Sequence, residues 1–254
     1  MSIFLLGVAF LAAAHQIGFT DLGRLYKGVS NLGLLANDLL PPNPAAFLPA
    51  LDALVETVQM AFVGTVIGFF LSLPAATLAL RTIFPSYVTT AVRAFLGLVR
   101  TIPVLFWAVI FVIAVGLGPL AGTLALSVYS LGYLSKLYFE AFEAVDQDVL
   151  DALRCTGASR LALVRYAVIP ESMNTLISQL LFMLEYNIRS SAVLGFVGAG
   201  GVGFLMTSYI ETLQYNSLTT VIAMTLALVI SIDFISGYVR KKFLPEIRMV
   251  KLRR

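Results

Sequence analysis

The chain has 254 residues, of which 59% are apolar and only 12% charged, for a net charge of +3. Soluble domains carry roughly twice that charged share, so a solvated globule and a disordered chain are both excluded. A lone cysteine (Cys155) and a lone histidine (His15) exclude an intrachain disulfide, thiolate metal clusters and most zinc, haem and histidine-based catalytic sites.

At about 20 residues per crossing, the apolar runs predict one all-α membrane domain over 1–254 with about six spans, at 2–18, 54–80, 101–117, 119–139, 172–194 and 218–239. The runs are continuous, without the period-two alternation of a membrane barrel. The first run also offers Ala12-Ala13-Ala14 as a signal-cleavage site. With no Lys or Arg ahead of it, a retained span is the expectation. Residues 31–49, with Pro41-Pro42-Asn43-Pro44, read as a polar linker outside the membrane. Gly64 and Gly68 form a G-x-x-x-G on the second span, a pattern that permits close helix packing. Residues 86–99, with Arg93 among Val, Ala, Phe and Leu, read as an interfacial helix.

The segment 140–170 is the largest polar insertion and reads as a helix–turn–helix. Asp146, Asp148 and Asp151 favour the start of a short helix, Arg154 its end, and Gly157 a stop. Ser159 suits the cap of a second short helix ending before Pro170. Val149, Leu150 and Leu153 make an apolar strip on the first, which either packs on the protein's own helices or docks into a partner.

Glu185 and Arg189 lie four apart near the end of the fifth span and are placed to pair. Charges at that depth are costly unless paired or hydrated, so Arg189 either tethers the following segment or also faces a pathway and meets an anion. Asp233, a turn or two before Arg240, is expected to pair near the cytoplasmic interface. Gly195, Gly198, Gly200, Gly201 and Gly203 crowd the segment expected outside between the last two spans. They read as a flexible loop or as irregular backbone lining a cavity. Gly198, Gly200 and Gly203 also satisfy G-x-G-x-x-G, but no βαβ unit surrounds them and position 223 is Ala, so no dinucleotide site is expected.

Counting Lys and Arg orients the chain. With both termini cytoplasmic, fourteen fall inside: Arg81, Arg93, Arg100, Lys136, Arg154, Arg160, Arg165 and the tail Arg240, Lys241, Lys242, Arg248, Lys251, Arg253 and Arg254. Arg24, Lys27 and Arg189 fall outside. Topology and anionic lipid thus account for the positive charge without nucleic acid. No phosphate-binding G-x-x-x-x-G-K-[ST], H-E-x-x-H, G-x-S-x-G or C-x-x-C motif occurs, so neither a catalytic set, a metal site nor a nucleotide cofactor is expected in this chain.

Asp151-Ala152-Leu153, three residues, Gly157, nine residues and then Ala167-Val168-Ile169-Pro170 resemble the E-A-A-x3-G-x9-I-x-L-P pattern of permease subunits of bacterial ABC importers. Asp for Glu, Leu for Ala and Ile for Leu are mild departures; Ala for Ile is the larger one. Residues 135–141, 152–160 and 185–203, with Arg100-Thr101-Ile102-Pro103, resemble the phosphonate/phosphite branch.

The resemblance implies a type I importer permease fold of the methionine-permease kind, in a bacterial cytoplasmic membrane. It implies two copies of this chain, two cytoplasmic ATPase subunits holding ATP and magnesium, and an extracytoplasmic binding protein that delivers phosphonate, phosphite or a related oxyanion. Residues 147–158 would be the coupling helix, with Asp148, Val149, Leu150, Asp151, Ala152, Leu153, Arg154, Gly157, Ala158 and Ser159 meeting the ATPase. Glu185, Arg189, Ser190, Gly195, Gly198, Gly200, Gly201 and Gly203 would lie at the gate and pathway. A permease for methionine or another small solute is the alternative within transport. An ion-driven secondary transporter calls for internal repeats, and a membrane-embedded enzyme for a polar catalytic cluster; neither is seen in the sequence.

Overall fold

Backbone amides in hydrocarbon have only one another to bond with. The computed structural model, which describes residues 2–243, is accordingly helical with short turns and has no strand among the described residues. In chain order the helices are α1 (Ser2–Gln16), α2 (Leu22–Asp38), α3 (Phe47–Leu78), α4 (Ser86–Thr101), α5 (Val104–Val115), α6 (Pro119–Glu143), α7 (Gln147–Arg154), α8 (Arg160–Leu163), α9 (Ile169–Leu194), α10 (Gly201–Glu211) and α11 (Tyr215–Phe243).

The bundle is built on α3, α6 and α9. Along α3 and α6 the contacts advance together, so the two helices are parallel. A Cβ added at Gly64 would lie 2.8 Å from Leu126 Cβ, and one added at Gly68 would strike the Ser130 side chain. The G-x-x-x-G is therefore a packing seam. Against α6, α9 runs antiparallel: Ser172 Oγ donates to the Ala141 carbonyl at 3.4 Å and Tyr138 Oη to the Leu176 carbonyl at 3.3 Å. Helix α11 starts beside the start of α3, where the Asn43 amide donates to the Asn216 carbonyl at 3.1 Å and Asn43 Nδ2 to Ser217 Oγ at 3.0 Å.

Parallel α3 and α6 need a return path between them, and α4 with α5 supplies it. The two axes meet at 85°. Ile102 is extended at φ −77°, ψ 119°, as a residue before proline must be, and Pro103 then opens α5. Trp107 Nε1 donates to the Val99 carbonyl across the bend at 3.3 Å. The expected third span coincides with α5, which at 12 residues reaches about 18 Å, short of the ~30 Å hydrocarbon layer, and forms one bent pair with α4.

Beside the six spans expected, length and apolar composition alone single out fewer helices among the described residues. Three helices are long and apolar enough to cross alone, or four if the bent pair is counted as one span. At 15 residues, α1 is shorter than the hydrocarbon layer. Long enough but not among those three, α6 buries Ser127, Ser130 and Ser135 in the bundle centre, where protein rather than lipid surrounds them. The polar linker expected at 31–49 begins only after α2, whose charged and glycine-containing sequence concealed a helix capped by Asp21 Oδ1 on the Arg24 amide at 3.0 Å. Almost nothing of α1 and α2 is buried: Ala14 in α1, and no residue of α2.

Arg81 and Arg93 gather with Glu143 where α3 and α6 end, whereas Arg100 packs beside Gly132, midway along α6. Four of the counted tail residues, Arg248, Lys251, Arg253 and Arg254, lie outside the described residues. At this basic end Arg93 fastens α4 down. Its Nε and Nη2 donate to the Ala79 carbonyl at 2.9 and 2.8 Å, it pairs with Glu143, and its guanidinium lies 4.3 Å over the Phe139 ring.

Replacing Gly68 with Val should destabilise the bundle by about 1–3 kcal/mol, because the branched side chain has no space between α3 and α6. Gly97→Ala, at a position with nothing within 4 Å, is the matched control and should hold or slightly raise stability. Thermal unfolding in mild detergent, read by size-exclusion fluorescence, distinguishes the two.

Candidate functional site

The segment joining α6 to α9 is built as its sequence suggests, with one change. Asp146 caps α7 by accepting from the Asp148 amide at 3.0 Å, Gly157 takes a left-handed φ of +78°, and Ser159 Oγ accepts from the Ala162 amide at 3.3 Å to start α8. The second helix does not end before Pro170. Instead Val164–Val168 form a π turn that carries α8 straight into α9, with Pro170 in the opening turn of α9. A proline has no amide to give, and the wider turn absorbs the missing bond.

The apolar strip of α7 divides. Leu150 is buried and Leu153 partly so, both packed on the cluster that holds Phe139, Phe142, Val164, Ala167, Val168 and Leu176. Val149, Ala152, Asp148, Asp151, Arg154 and Gly157 are exposed, as are Cys155 and Ser159, and Ala158 is half-buried. Arg154 pairs with Asp151 at 2.7 Å on the surface. Leu150 and Leu153 therefore attach the helix to its own bundle, and an outward face remains around Val149, Ala152 and Cys155.

The glycine-rich segment is not a solvated flexible loop. Gly195, Ala199, Gly200, Gly201, Val202 and Gly203 are buried. A Cβ on Gly195 would collide with the Gly203 backbone, and one on Gly203 with the Ala192 carbonyl. Between α9 and α10 the chain makes a short 3-10 turn at Gly195–Val197, then passes through Gly198, Gly200 and Gly201 at φ +79°, +82° and +70°. The free amides at the start of α10 are met from α3: Glu56 Oε1 accepts from the Gly201 amide at 2.6 Å and Thr57 Oγ1 from the Val202 amide at 2.8 Å. Sequence reading missed both residues, because nothing local to Glu56 reveals a helix start 145 residues away.

A hollow of about 260 Å³ at this break is walled by Glu56, Leu117, Gly118, Pro119, Gly198, Gly200 and Phe204. A second, of about 560 Å³, is lined by Asp52, Glu56, Gln59, Met60 and Thr123 among others. Carboxylates face both hollows, so both repel an anion.

Positive charge sits deeper along α9. Asn187 is fully buried and donates to Thr65 Oγ1 and Ser130 Oγ, each at 2.8 Å, tying α9 to α3 and α6 near the middle of α3. At the same level are Glu185 and Arg189. They do pair, but at 3.6 Å, and each has a nearer partner on α11: Arg240 Nη2 lies 2.7 Å from Glu185 Oε1, and Arg189 Nη2 lies 2.6 Å from Asp233 Oδ1. Asp233 does pair, and its partner is Arg189: antiparallel α9 and α11 set 189 against 233 and 185 against 240. Ser190 is buried behind them. Four charges thus form one alternating chain across two helices, open on the Arg189–Asp233 side.

Three comparisons bear on this arrangement. Residues 64–245 match the family model described as binding-protein-dependent transport system inner membrane component. HtxC of Stutzerimonas stutzeri, a candidate phosphite transport system permease, is 39% identical over 92% of this chain and 83% of its own length. PtxC of the same organism, a phosphite transport system permease protein, is 34% identical over 93% of this chain and 86% of its own. The membrane chain in an inward-facing structure of the MetNI methionine ABC transporter superposes with a TM-score of 0.71 at 25% identity, over 78% of this chain and 98% of that one. With the matched model covering well over half its length, this chain belongs to the family of binding-protein-dependent transport system inner membrane components, the permease subunits of ABC importers.

Proposed function

We propose that this chain is the pathway subunit of an ATP-driven importer for phosphite, a phosphonate or a related oxyanion. The reading is supported above all by Arg189, a guanidinium nearly half exposed within the apolar length of the bundle. An arginine at that depth turned toward lipid is heavily penalised, so it belongs beside water or another chain. The names of the 34–39% identical relatives point to the same ligand chemistry. A methionine permease is the second reading. It is favoured by the fold match to the methionine transporter and disfavoured by the lower identity there.

Two copies of the chain would enclose the pathway, and the Arg189 side of each bundle would face it. The basic end would lie in the cytoplasm, with both termini. Two ATPase subunits there would hold ATP and magnesium, so that this chain does no chemistry of its own. An extracytoplasmic binding protein would load the opposite end. Coupling would run through the outward face of α7, where Val149, Ala152 and Cys155 are free to enter a groove while Leu150 and Leu153 carry the push into the bundle.

Three outcomes are expected. Cys155 is the chain's one thiol and is exposed, so it reports docking directly. Maleimide labelling of Cys155 in the permease alone should be fast, and should slow at least tenfold when the ATPase subunits are bound. Ala152→Glu should release the ATPase subunits from the purified complex without lowering the permease's thermal stability; full retention of the ATPase would count against docking at this face. Arg189→Gln should cut ATP-dependent uptake of phosphite or methylphosphonate into proteoliposomes by an order of magnitude or more while the complex still assembles. Uptake of methionine in preference to either oxyanion by the unmodified complex would select the second reading.

A further inference from the structure

The four-charge chain between α9 and α11 separates into two unlike halves. Side-chain exposure is 7% for Glu185 and 31% for Arg240, but 46% for Arg189 and 47% for Asp233. The first pair is enclosed and behaves as a structural tie. The second is open, although Ile230 and Phe234 flank Asp233 on α11 as exposed apolar side chains. An open ion pair amid lipid-compatible surface is not needed to hold α9 to α11, since the Glu185–Arg240 contact already does so.

We infer that Asp233 is a built-in substitute for the transported anion: it occupies Arg189 when the pathway is empty and gives it up when the oxyanion arrives. This rests on the oxyanion-importer reading above. The chemistry of the exchange is favourable in kind. Asp233 offers one oxygen to one guanidinium nitrogen at 2.6 Å. A phosphite or phosphonate offers two or three oxygens and can engage the guanidinium fork at both prongs. One negative group replaces another, so Arg189 is never left uncompensated at a depth where an unpaired charge is costly. Because the incoming anion must displace a carboxylate, it is held weakly, and the displaced Asp233 stays close enough to repel it. Weak holding is what a conduit requires for release. Glu185, at 3.6 Å from Arg189, remains as the second, fixed counter-charge through the exchange.

The test uses the whole complex in nanodiscs, without binding protein, and follows its thermal midpoint as phosphite is added. The unmodified complex should respond only at high phosphite. Asp233→Asn should lower the half-stabilising phosphite concentration by roughly two- to fivefold, the weight of one partly exposed ion pair. Arg189→Gln should abolish the response. In proteoliposomes with binding protein, Asp233→Asn should retain assembly but turn over more slowly, as the anion leaves less readily. The double exchange Arg189→Asp with Asp233→Arg should keep assembly but lose uptake. Normal uptake by the double exchange would identify a purely structural pair and overturn the inference, as would an Asp233→Asn complex that either fails to assemble or shows no gain in phosphite response. If the unmodified complex transports neither phosphite nor methylphosphonate, the importer reading itself fails, and that outcome is distinct from these.

Discussion

A bilayer interior has no solvent to satisfy a polar atom, and that single constraint organises the molecule. Thr65 and Thr225 return their hydroxyls to carbonyls of their own helices, to Ala61 at 2.6 Å and Val221 at 2.7 Å. Asn187 finds two hydroxyls on two neighbouring helices. The break before α10 exposes amides that no residue of its own turn can reach, and Glu56 and Thr57 supply acceptors from α3. The four charges on α9 and α11 alternate in sign for the same reason. Where apolar contact cannot distinguish one helix neighbour from another, these bonds specify which helices meet and at what register.

The ends of the bundle obey a different rule, since water is present there. Arg93, midway along α4, donates to the Ala79 carbonyl that closes α3 and pairs with Glu143 at the end of α6, so two helix ends converge on one guanidinium. Helix α7 follows a few residues later and adds Leu150 and Leu153 to the same apolar cluster. The segment that offers a face to a partner is consequently anchored to a rigid base, with α8, the π turn, α9 and the 3-10 turn after it continuing as one 38-residue helical run past Arg189.

Much of this was legible in the sequence because it is local. The caps at Asp146 and Ser159, the stop at Gly157, the G-x-x-x-G seam and the helical character of the long apolar runs each depend on residues within a turn or two of one another. What was not legible is set by distant pairing. Glu185 and Arg189 read as an i,i+4 pair because spacing was the only information available, yet α11 brings Asp233 and Arg240 nearer to each. The serines of α6 read as an ordinary apolar span, whereas they mark a helix surrounded by protein. Helix α2 did carry apolar residues at helical spacing, Leu22, Leu25, Tyr26, Val29 and Leu32, but its glycines and charges gave it the look of a linker.

The glycine-rich run between α9 and α10 carries a consequence of its own. In water such composition makes a hinge, because nothing opposes rotation about its bonds. Here Gly195 and Gly203 meet backbone to backbone, and Gly201 would press a methyl against Thr57 Oγ1 at 2.7 Å. The residues are small so that three walls can close on one another. Glycine density in this place is a measure of tightness: an added methyl would act as a shim driven into a shut joint, prising α10 from α9 and α3 together.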